Sequence, residues 1–219
     1  MNNNIFITGG TGYIGSRIIP ILLKNGFNVF ALVRKQSLNR LPEGCKAVEG
    51  NALDEKTFQE YVGGCDTFIQ LVGVSHPSPA KKEEFKKIDL ASVTASVYAA
   101  KYAGVKHFIY LSVAQPAPMM KEYIEVRKCG EQLLAESKIP SSVIRPWYIT
   151  GPGHYWPVVL TPIYKILELI PATSEQAINL GLVKLEEMLN TIIYAVKNPQ
   201  SEGLKIYRTR DIRNGGIVK

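Results

Sequence analysis

A doubly wound α/β fold, with a parallel sheet covered on both faces and a small C-terminal lobe, is what this 219-residue sequence predicts. Three observations carry that expectation. Short apolar runs alternate with stretches of helical periodicity through the first two thirds of the chain. The runs read as buried strands, such as NIFIT and NVFALV, which suits a parallel sheet sandwiched between helices. After Pro146 the alternation stops and a glycine-, proline- and aromatic-rich stretch begins. The right-handed crossover of βαβ units then gives double winding.

The elements follow in order. Asn4–Thr8 is the first expected strand. A helix is expected over Gly12–Lys24, where Ile14, Ile18, Ile19, Ile21 and Leu22 fall at helical spacing. Strands are expected at Asn28–Val33, Lys46–Glu49, Asp66–Val72, Lys106–Ser112 and Ser142–Pro146. Helices are expected at Asp54–Tyr61, at Glu83–Ala103 with Gly104 closing it, and at Met120–Ser137. Beyond a loop at Trp147–Tyr155, a helix is expected near Pro157–Ile170. A short apolar piece at Asn179–Val183, a helix at Lys184–Lys197 and a strand at Gly203–Arg208 complete the chain. The expected division is a dinucleotide-binding domain over 1–150 and a lobe over 151–219.

Composition narrows the function. The net charge is +7 and pI is about 9.2, but Lys and Arg are scattered and no basic helix or stacking-aromatic motif accompanies them. No nucleic-acid partner is expected. Cys45, Cys65 and Cys129 form no CxxC pair and have no His at metal-ligand spacing, so free thiols and no metal site are expected. The Met-Asn-Asn-Asn start lacks a signal-peptide pattern, and the apolar stretch near 157–171 is broken by Pro162, Lys165 and Glu168. A cytoplasmic protein without a membrane partner is the expectation.

The chemistry begins at Thr8-Gly9-Gly10-Thr11-Gly12-Tyr13-Ile14-Gly15, between the first strand and the first helix. Gly9, Gly12 and Gly15 have the spacing of a dinucleotide fingerprint. One glycine allows a sharp turn, one allows close approach of a pyrophosphate, and one allows tight helix–sheet packing. The helix start offers N–H groups and a partial positive charge to phosphate. Thr11, Tyr13 and Ile14 complete this turn.

The end of the second strand sets the choice of dinucleotide. An Asp or Glu there would hold the ribose hydroxyls of NAD. Arg34 and Lys35 stand there instead, 19 and 20 positions after Gly15. Two bases favour the 2′-phosphate of NADP(H) over NAD(H), and Arg17 offers a third charge. Asn51 and Ala52 follow the third strand, at an adenine edge. Leu71, Val72 and Gly73 end the fourth, where Gly73 is expected to let backbone approach the cofactor.

These motifs, with YLS at 110–112, YIEVRKCGEQLL at 123–134, RPWYITGPG at 145–153 and LVKLEEML at 182–189, resemble the short-chain dehydrogenase/reductase superfamily. The similarity is greatest to its extended and atypical branches, the nucleotide-sugar epimerase/dehydratase-like proteins with an NAD(P)-binding Rossmann fold. It covers roughly residues 4–198. The resemblance implies a Tyr general acid/base, a Lys four residues on, a Ser or Thr that polarises the substrate, and a cofactor contact near Pro146. Tyr123 and Arg127 have the four-residue spacing, with Glu131 four further. Lys128, five after Tyr123, would face elsewhere on a helix. The expected catalytic set is therefore Tyr123, Arg127 and Ser112, with Arg127 where the family has Lys. Arginine keeps the charge but does not readily release a proton. The family's Ser or Thr usually falls one residue later, at Val113.

Ser75-His76, Met119-Met120, Trp147-Tyr148 and His154-Tyr155-Trp156 are expected around a substrate pocket, with His76 or His154 as a proton donor. The small lobe argues against a nucleotide-sugar substrate. Two functions stay open. One is an NADP(H)-dependent oxidoreductase acting on a small carbonyl or quinone-like substrate. The other is a non-catalytic NADP(H)-binding redox sensor or assembly factor. A homodimer is also open.

Overall fold

The computed structural model describes residues 3–74, 78–117, 120–155 and 178–217. The first apolar run forms β1 (Asn4–Thr8), and α1 (Gly15–Lys24) follows it. Next come β2 (Asn28–Val33), a 3₁₀ turn (Lys35–Arg40), β3 (Lys46–Glu49) and the short α2 (Gln59–Val62). After β4 (Thr67–Gln70), α3 (Lys82–Glu84) runs into a π-helical turn (Phe85–Leu90) and then α4 (Ala91–Tyr102). β5 (His107–Leu111), α5 (Lys121–Ser137), β6 (Ser141–Ile144) and β7 (Tyr148–Thr150) come next. The described C-terminal residues add β8 (Leu182–Lys184), α6 (Leu185–Lys197), β9 (Leu204–Tyr207) and α7 (Thr209–Arg213).

Seven strands form one parallel sheet in the order β3-β2-β1-β4-β5-β6-β9. This is the doubly wound arrangement expected, and its order reverses between β1 and β4. Side chains alternate across the sheet. Ile5, Ile7, Ile69, Ile109 and Ile144 share one core with Ile18, Ile19 and Leu22 of α1 and with Met188 and Ile192 of α6. Phe6, Phe68, Phe108 and Tyr110 enter the opposite core with Val93, Val97 and Leu134. Phe6, Phe68 and Phe108 lie in register on adjacent strands, with ring centroids 5.3 and 5.0 Å apart. Burying each such side chain contributes about 1.5–3 kcal/mol.

The structure departs from the expected elements at several places, among them the π-helical turn within 83–103 and the unexpected α7. The stretch 54–61 is a 3₁₀ turn (Glu55–Thr57) plus α2. The Asp54 carboxylate accepts the Lys56 N–H, and the Thr57 hydroxyl donates to the Asp54 carbonyl at 2.7 Å. Such local bonds compete with a regular helix. The stretch 147–155 contains β7, which pairs in parallel with β8. Of the described residues beyond 178, some belong to the main sheet and its core. β9 is that sheet's edge strand beside β6, Tyr207 is fully buried, and α6 packs in the same core as α1. The expected helix near 157–170 lies outside the described residues. Among the described residues, no helix is long and apolar enough to cross a membrane.

One polar pair sits inside this core. His107 Nε2 lies 3.0 Å from the Ser142 hydroxyl, between β5 and β6. Burial holds its imidazole down to about 4, against an ordinary 6.5. The unfolded chain therefore takes up this proton before the folded one does, so stability falls as pH drops from about 6.5 towards 4. Urea denaturation at pH 7 and pH 5 is expected to show a larger loss of midpoint for the unaltered chain than for His107→Gln, which has no proton to gain. Equal losses would contradict the assignment.

Candidate cofactor site

The glycine turn leaves β1 where the strand order reverses, the position at which open α/β sheets bind ligands. Gly9 has φ +79°, and a Cβ there would lie 2.9 Å from the Leu71 carbonyl carbon. A Cβ on Gly15 would lie 2.2 Å from the Gly9 oxygen and 2.7 Å from Gly10 Cα, so the first residue of α1 rests directly on the turn. Gly12 donates its N–H to the Gly9 carbonyl at 3.0 Å, and a Cβ on it would meet only that carbonyl oxygen, at 3.1 Å. No side chain caps the start of α1, and its first turn carries no acid. A bare backbone cradle beneath an uncapped helix fits a pyrophosphate.

The flanking residues divide between support and exposure. Ile14 is buried in the core of α1 and α6. The Tyr13 ring centroid lies 4.3 Å from that of His154 and 4.3 Å from the Arg17 guanidinium carbon. Arg17 also donates to the Tyr13 carbonyl at 2.8 Å, so it is directed to Tyr13. Arg34 and Lys35 are exposed at the end of β2. The 3₁₀ turn that follows brings Arg40 back to the glycine turn, where it donates to the Thr11 carbonyl at 3.4 Å. Sequence reasoning missed Arg40, because only that 3₁₀ turn returns it to Thr11.

Past β3, Asn51 holds its own turn. Its side-chain oxygen accepts the Leu53 N–H at 3.1 Å, and its backbone N–H donates to the Thr57 hydroxyl. Ala52 packs under the aromatic core. Leu71 continues from β4 and donates its N–H to the Thr8 carbonyl at 3.1 Å. The Val72 carbonyl accepts from Gln70 at 3.1 Å. Pro146, after β6, is buried and accepts the Ala114 N–H at 2.9 Å.

The expected catalytic side chains fall into two polar knots. Arg127 is buried, donating to Asp89 Oδ1 at 2.5 Å and to the Leu111 carbonyl at 2.7 Å. Burial pushes the Asp89 carboxyl up, while Arg127 and the Val74 N–H pull it back. Tyr123 is half-buried, its ring 5.0 Å from Phe85 and 5.1 Å from the Arg127 guanidinium. Ser112 belongs to the other knot. Its hydroxyl donates to Glu131 at 2.5 Å, and Glu131 also accepts from Gln115 and from Arg145 in a two-armed ion pair. Lys128 lies on the exposed face of α5, paired with Glu125 at 2.9 Å.

Gly73 has a structural reason of its own. A Cβ there would lie 2.2 Å from Arg127 Nη2. Close packing on Arg127 thus requires glycine, beside any approach of the cofactor. Asp89 is the second residue that sequence reasoning missed. Its signal was an acid between apolar Ile88 and Leu90 in a helical stretch. Ser75, His76, Met119 and Trp156 lie outside the described residues. Met120 packs with Val74, Phe85 and Val126, Tyr155 is exposed, and the Trp147 and Tyr148 rings meet edge-on at 5.6 Å. Among the described residues, no group of three or more His, Cys, Asp or Glu could hold a metal ion.

A family model described as NAD(P)H-binding matches residues 9–160, starting at the turn's first glycine. The chain belongs to this NAD(P)H-binding family. The chain is 22% identical, over 98% of its length and 66% of the other's, to a ceramide reductase of Caulobacter vibrioides. It is 28% identical to the chloroplastic protein TIC 62 of Pisum sativum, over 94% of this chain and 42% of that one. Coverage of the curated relatives' own lengths thus stays below two thirds in these cases. Among solved structures, WbmH of Bordetella bronchiseptica, in complex with NAD+, superposes with a TM-score of 0.70 at 20% identity, over 94% of this chain and 75% of that one. A nucleoside-diphosphate-sugar epimerase of Staphylococcus aureus gives 0.65 at 21%, over 93% and 70%. The fold is therefore that of the epimerase/dehydratase-like Rossmann proteins.

The closest approach to backbone in this site is at Gly15. Gly15→Ala would force its methyl into the Gly9 and Gly10 backbone, and such overpacking costs about 1–3 kcal/mol. The expected outcome is a lower thermal midpoint together with loss of dinucleotide binding in a titration. Unchanged binding would show that the cradle is not built by this contact.

Proposed function

We propose that this family member binds NADP(H) in preference to NAD(H) and acts as an oxidoreductase on a small carbonyl or quinone-like substrate. The observation that carries the cofactor choice is the basic end of β2. Arg34 and Lys35 are exposed there, and Arg40 returns to the glycine turn at Thr11. Cations suit a 2′-phosphate, with which arginine forms charge-assisted, two-armed hydrogen bonds. Gly9, Thr11, Gly12 and Gly15 would hold the pyrophosphate. Asn51 and Ala52 would flank the adenine, and Leu71 to Gly73 with Pro146 would lie along the remainder.

NADPH, when bound, supplies a hydride to an electrophilic carbon. The chain's own part is a proton for the oxygen that gains negative charge. Tyr123 is the side chain for that task, because its ring is half-buried and the Arg127 guanidinium lies 5.1 Å from the ring centroid. The ceramide reductase and a ketoreductase of Stigmatella aurantiaca, 24% identical over 67% of this chain, support a reductase.

A second function, a non-catalytic NADP(H)-binding sensor or assembly factor, is favoured by a specific observation. Both Arg127 and Ser112 already have buried carboxylate partners. TIC 62 and a photosystem II assembly factor of Trieres chinensis, 29% identical over 65% of this chain, lie among the relatives.

Two experiments separate these outcomes. Arg34→Ala is expected to weaken NADPH binding by roughly ten- to a hundredfold, the equivalent of a charge-assisted hydrogen bond, and to leave NADH nearly unchanged. Equal effects would refute the 2′-phosphate contact. NADPH oxidation with a panel of carbonyl and quinone acceptors is expected to fall by about 10²–10⁴ in Tyr123→Phe, with cofactor affinity retained. Tight binding without turnover across the panel would favour the sensor or assembly role instead.

A further inference from the structure

Asp89 is completely shielded from solvent. A carboxylate in that position is costly unless both oxygens are engaged. Oδ2 accepts the Val74 N–H at 3.0 Å, and Oδ1 accepts Arg127 Nη2 at 2.5 Å. The other arm of the guanidinium donates to the Leu111 carbonyl at 2.7 Å. Val74 lies just beyond β4, and Leu111 is the last residue of β5. One planar cation and one carboxylate thus tie together the C-terminal ends of two adjacent strands. Gly73 fits between them only without a side chain, since its Cβ would lie 2.9 Å from Asp89 Oδ1 and 2.2 Å from Arg127 Nη2. Asp89 is carried on a π-helical turn, a geometry that is rare and frequent at functional sites.

The place of this clasp in the sheet gives it a direction. Strand order reverses between β1 and β4. A dinucleotide that straddles that point lays its adenosine half towards β2 and β3 and its nicotinamide half towards β4 and β5. The clasp belongs to the second side. Arg34, Lys35 and Arg40 belong to the first.

We propose that Asp89 is a positioning residue for the nicotinamide half of the dinucleotide. Through Arg127 it fixes the Gly73–Val74 and Leu111 backbone that borders that half. It touches no cofactor atom itself. This inference rests on the cofactor proposed above. A clasp of this kind affects one half of the ligand and spares the other, whereas a merely structural role would affect both together or neither.

The test compares two ligands on the full chain by calorimetric titration. NADPH reports both halves, and 2′,5′-ADP reports the adenosine half with its 2′-phosphate alone. Two variants are used. Asp89→Asn removes the charge. The paired change Asp89→Leu with Arg127→Met replaces both partners by apolar groups, a change that buried pairs often tolerate, and so covers any failure of the single variant to fold. NADPH affinity is expected to fall about tenfold or more while 2′,5′-ADP stays within about twofold. Equal losses for both ligands, or no loss for either, would overturn the role of Asp89. An unaltered chain that binds neither ligand would instead overturn the cofactor assignment on which it rests.

Discussion

Gly15, the first residue of α1, rests directly against the backbone of Gly9 and Gly10. No side chain fits there, because a Cβ would sit 2.2 Å from the Gly9 oxygen. That closeness seats α1 on the end of β1. Ile18, Ile19 and Leu22 then enter the core shared with α6, and the helix start is directed at the turn. The same turn ends β1 beside β4, where strand order reverses. Packing and ligand geometry are therefore set by one steric requirement.

Buried charge imposes the second requirement. Asp89 and Arg127 share one knot, and Glu131, Arg145, Gln115 and Ser112 share another. In each, carboxylate oxygens are engaged by several donors, as burial demands. These knots connect α5 to the ends of β4, β5 and β6. They also constrain chemistry, since a guanidinium and a hydroxyl already held by carboxylates are less available to a substrate.

Local patterns made much of this legible in the sequence. Strands of the sheet follow from their apolar runs, and the glycine turn from its spacing between strand and helix. Helical spacing puts Tyr123 and Arg127 on one face and Lys128 on another, and in the structure Arg127 is buried while Lys128 is exposed. What stayed hidden depended on distant partners. Leu204–Tyr207 joins the main sheet through β6, some sixty residues earlier, and nothing near it announces that pairing. Asp89 meets Arg127 across 38 positions. Arg40 reaches Thr11 only because a 3₁₀ turn folds it back. At 54–61 the failure was the opposite one: Asp54 and Thr57 make local hydrogen bonds that helical periodicity does not register.

Membership of the NAD(P)H-binding family joins the steric cradle to a cofactor class, and the proposed preference for NADP(H) rests on the exposed charges beyond β2. The most direct measurement is a side-by-side calorimetric titration of the unaltered chain with NADPH and NADH under identical salt. Saturable binding of both is expected, with NADPH tighter by about tenfold or more. Equal affinities, a preference for NADH, or binding of neither would contradict it.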